Sequence, residues 1–194
     1  MLEYKVVTPV AVEPLTVPEV RLHLRLDAST TEDSLLFSLI KTAREYCEKY
    51  TGRALAPQTL EVLMDAFPCA WAISLPMAPL TSVTSIKYTD SAGTETTLAA
   101  SEYIVDTDSR VGRVVLAYGK TWPTFDPYPS NPIRIRYVAG YTKAPEPIVQ
   151  AMKLLVGYWY NAREADAPTT DRGSASPEFA VKALLSPYRN RWWD

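Results

Sequence analysis

Two amphipathic helical stripes, separated by a long run of short alternating segments, constrain this chain more than any other feature. In the first stripe Leu36, Ile40, Ala43, Cys47 and Tyr50 recur at i, i+4, i+7 spacing, with Leu39 and Tyr46 widening it. Gly52 follows as a natural stop, since glycine adopts the left-handed conformation that ends helices. The second stripe opens near Pro147 and runs to about Ala162, carried by Ile148, Ala151, Met152, Leu155 and Trp159, with Val156 beside them. From Gln58 to Val138 no helical period is sustained. That region breaks into strand-like pieces bounded by proline, glycine and aspartate.

Smaller signals complete the map. "TVPE" starts the first helix, to about Leu26: Thr16 and Glu19 fit a capping box, and Pro18 suits a first turn, where its missing N–H costs nothing. Ser29 and Glu32 form a second capping-box candidate ahead of the 36–50 stripe. "SVTSIKYTD" and "TETTLAA" around "SAG" predict a hairpin, and "EYIVD" and "RVVLAYG" around "TDSRVG" predict another. "TLEVLMDAF" and "WAISLP" are further strands, and "IRIRYVAGY" is the last. Prolines 57, 68, 76 and 79 suggest short edge strands. "TWPTFDPYPSNP" and 163–177 read as loops, and Ser176 caps a short helix ended by Ser186 and Pro187. The order predicts an α+β fold: a helical bundle of two N-terminal and two C-terminal helices with an inserted antiparallel β segment. As one domain over 1–194, it places helices at about 16–51, the β-rich insertion at about 57–140, helices at about 147–162 and 177–186, and a tail at 187–194.

Composition removes several classes. A chain of 194 residues with 47% hydrophobic content supports one sizeable core. A formal charge of −2 offers no global basic field for nucleic acid. Two cysteines make no disulfide framework and fit a reducing compartment. The first twenty residues lack the basic and apolar regions of a signal peptide, and no run approaches the ~20 apolar residues that span a bilayer, so a soluble cytosolic protein is expected.

The search for reactive chemistry assigns no catalytic, cofactor-binding or metal-binding residue. His23 is the only histidine and has leucines on both sides. A Cys47–His23 dyad would need a reactive thiol, yet Cys47 sits on an apolar stripe, where cysteine behaves as a small inert hydrophobe. Asp106 and Asp108 in "VDTDSRVG" resemble a calcium-loop fragment but lack its central glycine and terminal glutamate, so Asx bonding in a turn is expected. "RIRYVAGYTKAPEP" places strand, glycine and helix in the order of a phosphate loop. It has a single glycine, no Gly-Lys-Ser/Thr, and prolines where backbone donors would be needed, so Gly140 reads as a sheet-to-helix corner. Glu45 and Glu48 beside Lys41, Arg44 and Lys49 read as a solvated helix face.

The last residues are the anomaly. "YRNRWWD" packs Tyr188, Arg189, Arg191, Trp192 and Trp193 into a chain end, where mobile polar residues are usual. Two readings stay open: these residues fold back on their own subunit, or, because Trp, Tyr and Arg are the common anchors of protein interfaces, the five bind a partner. A nucleic-acid module would instead need Arg134, Arg136, Lys143, Arg189 and Arg191 on one face.

The ordered series "EPLTVPEVRLHLRLD", "DSLLFSLIKTAREYCEKYTGRAL", "PLTSVTSIKYTDSAGTETTL", "YIVDTDSRVGRVVLAYGKTWP" and "IRIRYVAGYTKAPEPIVQAMKLLVGYWYNARE" resembles the tailed-phage head–tail connector (adaptor, head-completion) proteins, including prophage and gene-transfer-particle versions. The resemblance runs through "VKALLSPYR" and carries no catalytic motif. It implies a structural virion protein, not an enzyme, with no cofactor, in the neck of a phage or phage-like particle assembled in the bacterial cytoplasm. It also implies a ring of this chain, commonly twelvefold, under the portal. The ring would join the DNA-filled capsid to the stopper or tail and let double-stranded DNA through without reading its sequence, with no membrane contact. Beyond what the resemblance implies, the sequence suggests that the helices form the ring body, the aromatic tail reaches the portal, and the β segment or the 163–177 loop meets the next neck protein. Alternative readings are a stopper or tail-completion neck protein and a nucleic-acid-binding module.

Overall fold

The computed structural model describes residues 3–27, 29–162 and 177–190. Its elements are β1 (Glu3–Thr8), α1 (Val17–Leu24), α2 (Asp33–Thr51), β2 (Gln58–Met64), β3 (Ala72–Ser74), β4 (Leu80–Thr89), β5 (Glu95–Thr97), β6 (Tyr103–Asp106), β7 (Arg113–Leu116), β8 (Ile133–Ala139), α3 (Glu146–Ala162) and α4 (Pro177–Leu185). The α+β class holds. The described residues group into two compact units, one from 3–11 and 56–142, the other from 12–55 and 143–190.

The first unit is built on a five-stranded antiparallel sheet in the order β1-β2-β8-β4-β5, with β8 in the centre. Successive strand side chains point to opposite faces, and β8 divides cleanly. Ile133, Ile135, Tyr137 and Ala139 are fully buried, whereas Arg134 and Arg136 are exposed. Leu60 and Val62 of β2 and Ile86 of β4 bury on the same side. The buried Tyr137 hydroxyl donates to the Pro76 carbonyl at 2.9 Å, so the ring is buried without an orphaned polar atom. A second antiparallel sheet, β3-β7-β6, contributes the buried Val114 and Ile73.

Both expected hairpins form, as β4–β5 and β6–β7. In the first turn the Asp90 carboxylate accepts from the Ala92 and Thr94 amides at 3.0 and 2.8 Å, and Gly93 takes φ 84°. Two expectations need correction. The β segment is not wholly an insertion between helices, because β1 precedes them and completes the sheet. Its residues are all exposed, so it lacks the buried alternation by which a strand is read from sequence. The prolines do not mark edges throughout: Pro57 and Pro79 sit just before β2 and β4, both interior strands, and so remove no ladder donor.

On the outer face of the sheet, Glu61 of β2 is a buried carboxylate between two cations. Arg136 Nε and Nη2 donate to Oε1 at 3.1 and 2.8 Å, and Lys5 Nζ lies 2.8 Å from Oε2 as an ion pair without an aligned hydrogen bond. Burial alone would raise the Glu61 pKa. Lys5 and Arg136 together outweigh it and hold the carboxyl below its ordinary value.

In the second unit α2 packs on α3, α4 on α3, and α1 on both α2 and α3. Thr16 caps α1 in a capping box with Glu19: the Glu19 carboxylate accepts from the Thr16 amide at 2.9 Å, and Thr16 Oγ1 accepts from the Glu19 amide at 3.5 Å. The second capping box is absent. Glu32 itself occupies the N-cap of α2, its carboxylate accepts from the Tyr160 hydroxyl of α3, and Ser29 Oγ meets Thr31 Oγ1 instead. Gly52 ends α2 with φ 67°, as expected. The α2 and α3 stripes meet partly through aromatic rings, Tyr46 edge-on to Trp159 at 6.3 Å between centroids. No helix among the described residues is long and apolar enough to cross a membrane.

Gly140 turns the chain out of β8 at φ 131°, where a Cβ would stand 2.1 Å from the Ala56 carbonyl oxygen. Gly140→Ala should therefore destabilise the chain by roughly 1–3 kcal/mol in denaturant unfolding, from backbone strain before the clash is counted. A carboxyl with a depressed folded pKa adds stability above its unfolded pKa and loses it as the pH falls through the folded value. The thermal midpoint of the native chain should thus fall more steeply below about pH 4.3 than that of Glu61→Gln, as read by scanning calorimetry.

Candidate interaction surface

The C-terminal segment is pinned to its own subunit as far as Asn190. After α4, residues Ser186–Tyr188 form one 3-10 turn with Pro187 inside it. The nearly buried Arg53, just beyond the Gly52 stop, donates from Nε to the Tyr188 carbonyl at 2.7 Å. The Asn190 amide donates to the Thr51 carbonyl at 2.8 Å, satisfying an acceptor that the end of α2 leaves open. Asn190 is buried, Tyr188 half-buried, and the Arg189 guanidinium lies 5.8 Å from the centroid of the Tyr50 ring. Of the five residues assigned to partner binding, Tyr188 and Arg189 are therefore held at the C-terminal end of α2. Arg191, Trp192 and Trp193 lie outside the described residues, as do Ser176 and residues 163–176 of the expected loop.

A second anchor was misread from sequence. Arg44 and Glu48 are not on a solvated face; both are buried. Arg44 Nε donates to Glu13 at 2.7 Å and its Nη1 to Glu48 Oε2 at 2.6 Å, while Glu48 Oε1 accepts from the Leu55 amide at 2.8 Å. Burial by itself would make Arg44 easier to deprotonate. Glu48 first, then Glu13, outweigh that and strengthen its hold on the proton. Burial pushes the Glu48 carboxyl above the ordinary range against the pull of the Leu55 N–H and Arg44. The cluster ties the segment before α1 and the segment after α2 to one helix. Helical i, i+4 spacing gave the Arg44–Glu48 pair but not its burial, because Glu13 and Leu55 come from outside the helix.

The candidate reactive groups are engaged in packing or in turns. Cys47 is fully buried, and burial pushes its thiol up to about 12, so it carries no thiolate at neutral pH. His23 is exposed beside Gly157 of α3. The Asp106 carboxylate accepts from the Asp108 and Ser109 amides at 3.2 and 3.1 Å, from Ser109 Oγ at 2.6 Å and from Arg113 Nε at 2.7 Å. Ser109 and then Arg113 hold its pKa at about 2, and this is the expected Asx-bonded turn. No group of three or more His, Cys, Asp or Glu suited to a metal occurs among the described residues. Of the five basic residues of the nucleic-acid reading, the four described ones fall in both units: Arg134 and Arg136 on the sheet face, Lys143 paired to Glu146 at 3.0 Å, and Arg189 on Tyr50; Arg191 lies outside the described residues.

The β unit displays apolar surface instead. Phe67 stacks on Trp122 at 5.0 Å between centroids, with Phe125 and Tyr88 packed around them, beside an open groove of about 300 Å³ that also takes in Pro68, Pro123 and Pro127. On the smaller sheet Ala72, Val115 and Ile104 are register partners in one row, and Ile104 is 57% exposed. Trp71, next to that row, is 62% exposed, with Arg113 over its ring at 5.6 Å. The four clustered rings are half-buried, whereas Trp71 and Ile104 are exposed and suit contact with another protein surface.

The pattern of the head completion protein family matches residues 13–189. A chain in a structure described as the neck of an empty GTA particle computed with C6 symmetry superposes with a TM-score of 0.80 at 28% identity, covering 97% of this chain and 95% of that one. A chain from the virion of a native gene transfer agent (GTA) particle gives 0.76 at 29% identity, with 96% and 95% covered. One from the neck of a native GTA particle computed with C12 symmetry gives 0.75 at 27%, with 98% and 95% covered. No curated protein matches the chain.

Arg44→Ala should strand two buried carboxylates and cost about 3–5 kcal/mol in equilibrium unfolding. Glu48→Gln, which keeps an acceptor for the Leu55 amide, should cost markedly less.

Proposed function

This chain belongs to the head completion protein family, and from that premise we propose that it is the head–tail adaptor, a ring of identical subunits under the portal that receives the stopper or tail. A structural connector role at the neck of a phage-like particle follows from the family and from near-complete superposition on chains of gene transfer agent necks. The observation that carries the reading is the match over 97% of this chain at a TM-score of 0.80 to a chain in the neck of a GTA particle. C6 and C12 symmetry in those particles supports a closed ring here, with twelve subunits as the proposed number. The two compact units work together as one connector, the helical unit forming the ring body. DNA crosses the ring without being read.

Tyr188, Arg189, Arg191, Trp192 and Trp193 form the portal anchor in this reading. In support, the exposed Arg189 sits at the C-terminal end of α2, where the bonds to Tyr188 and Asn190 hold this segment in one position. Each anchor need contribute only ~2 kcal/mol, since repetition around a ring makes release of the whole very slow. The chain acts by binding, without a reaction centre.

The clamp dictates the informative truncation. Removal of residues 191–194 after Asn190 should leave the thermal midpoint nearly unchanged and abolish co-sedimentation with DNA-filled, tailless heads. Truncated protein that still travels with the heads overturns the anchor. Neck density from tailed particles that lacks this chain overturns the adaptor reading itself.

A further inference from the structure

The five-stranded sheet ends in two dissimilar edges. Among the described residues β1 pairs only with β2, and β5 only with β4. An unpaired edge offers a row of amides and carbonyls to any strand that comes alongside, and soluble proteins usually blunt such edges with proline, bulges or outward charge. β1, "EYKVVT", is poorly blunted. It has no proline, and its one lysine is turned back over the sheet onto Glu61 at 2.8 Å. Its register shift comes only between Val6 and Thr8 at the strand's end. Val6 is 51% exposed and Val7 37%, on a strand exposed along its whole length. β5, "ETT", is short and polar.

Closed cyclic assembly requires each subunit to present two different surfaces that fit each other, because every contact is head-to-tail. A sheet with a six-residue edge carrying Val6 and Val7 and a three-residue polar edge presents such a pair. Four antiparallel steps separate β1 from β5, so the two end strands run in the same direction. A copy related by rotation about a ring axis keeps that direction and can lay its β1 alongside β5 in parallel. We propose that β1 of one copy adds to the β5 edge of the next copy, joining the five-stranded sheets of neighbouring subunits around the ring. The occupant is a second copy of this chain, and the proposal rests on the ring assigned above. Backbone pairing supplies the contact, and Val6 and Val7 are covered by the neighbour.

A cysteine pair tests it in neck-bearing particles. The exposed Cys69 is first replaced by serine, while the buried Cys47 stays. Val6→Cys combined with Thr96→Cys, and separately with Thr97→Cys, should give a ladder of covalent dimers and higher oligomers under mild oxidation from at least one pair, and the single variants none. Val6→Lys should lower incorporation into the neck about tenfold by charging the edge, with little change in the subunit's thermal midpoint. Intact rings in electron micrographs with no ladder from either pair overturn the edge pairing and leave the ring standing. Necks in which the native chain forms no ring overturn both.

Discussion

The strict two-faced character of β8 is the constraint on which the β unit depends. A central strand must satisfy hydrogen bonds on both edges and pack a full face, so its register cannot slip by one residue without burying arginine. Ile133, Ile135, Tyr137 and Ala139 take the inner face and Arg134 and Arg136 the outer, leaving one arrangement of β2 and β4 around it. Gly140 then lets the chain pass within contact of the Ala56 carbonyl, where any side chain would collide. The arginines are not idle on the solvent side. Arg136 joins Lys5 in neutralising Glu61 and so helps to tie β1 to the sheet.

The helical unit uses charge where the β unit uses registry. A buried Arg44 between Glu13 and Glu48 is costly to assemble and costlier to break, which makes it a means of fixing two irregular segments on one helix. The clamp of Arg53 and Thr51 on Tyr188 and Asn190 does the same for the C-terminal segment. A connector needs this kind of rigidity, because a ring multiplies any looseness in its subunits by their number.

Much of the fold was legible because local rules and the global fold agree. The α2 stripe, its Gly52 stop, the Thr16 capping box and both hairpins are where spacing and turn chemistry put them. The failures share a cause. Glu32 was given a capping role from its distance to Ser29, but Tyr160, far along the chain, takes its carboxylate. Glu48 was placed on a solvated face because helical spacing cannot see Leu55 or Glu13. β1 carries no alternating burial, because all of its residues are exposed. At the surface, the tail's composition pointed to partner binding, while nothing in "TGR" announced that Arg53 would hold it.

By itself the sequence determined the class of the fold, the order of the elements after β1 and the place of Cys47 on an apolar stripe, because these depend on periodicity and on which residues can leave water. Only the tertiary structure decided which strands lie at the edges, which charges are buried, and how far the C-terminal segment is fastened to its own subunit. Those features arise from pairs distant in the chain, such as Arg136 with Glu61 and Asn190 with Thr51, and a one-dimensional pattern holds no record of which distant partner will remove a group from solvent.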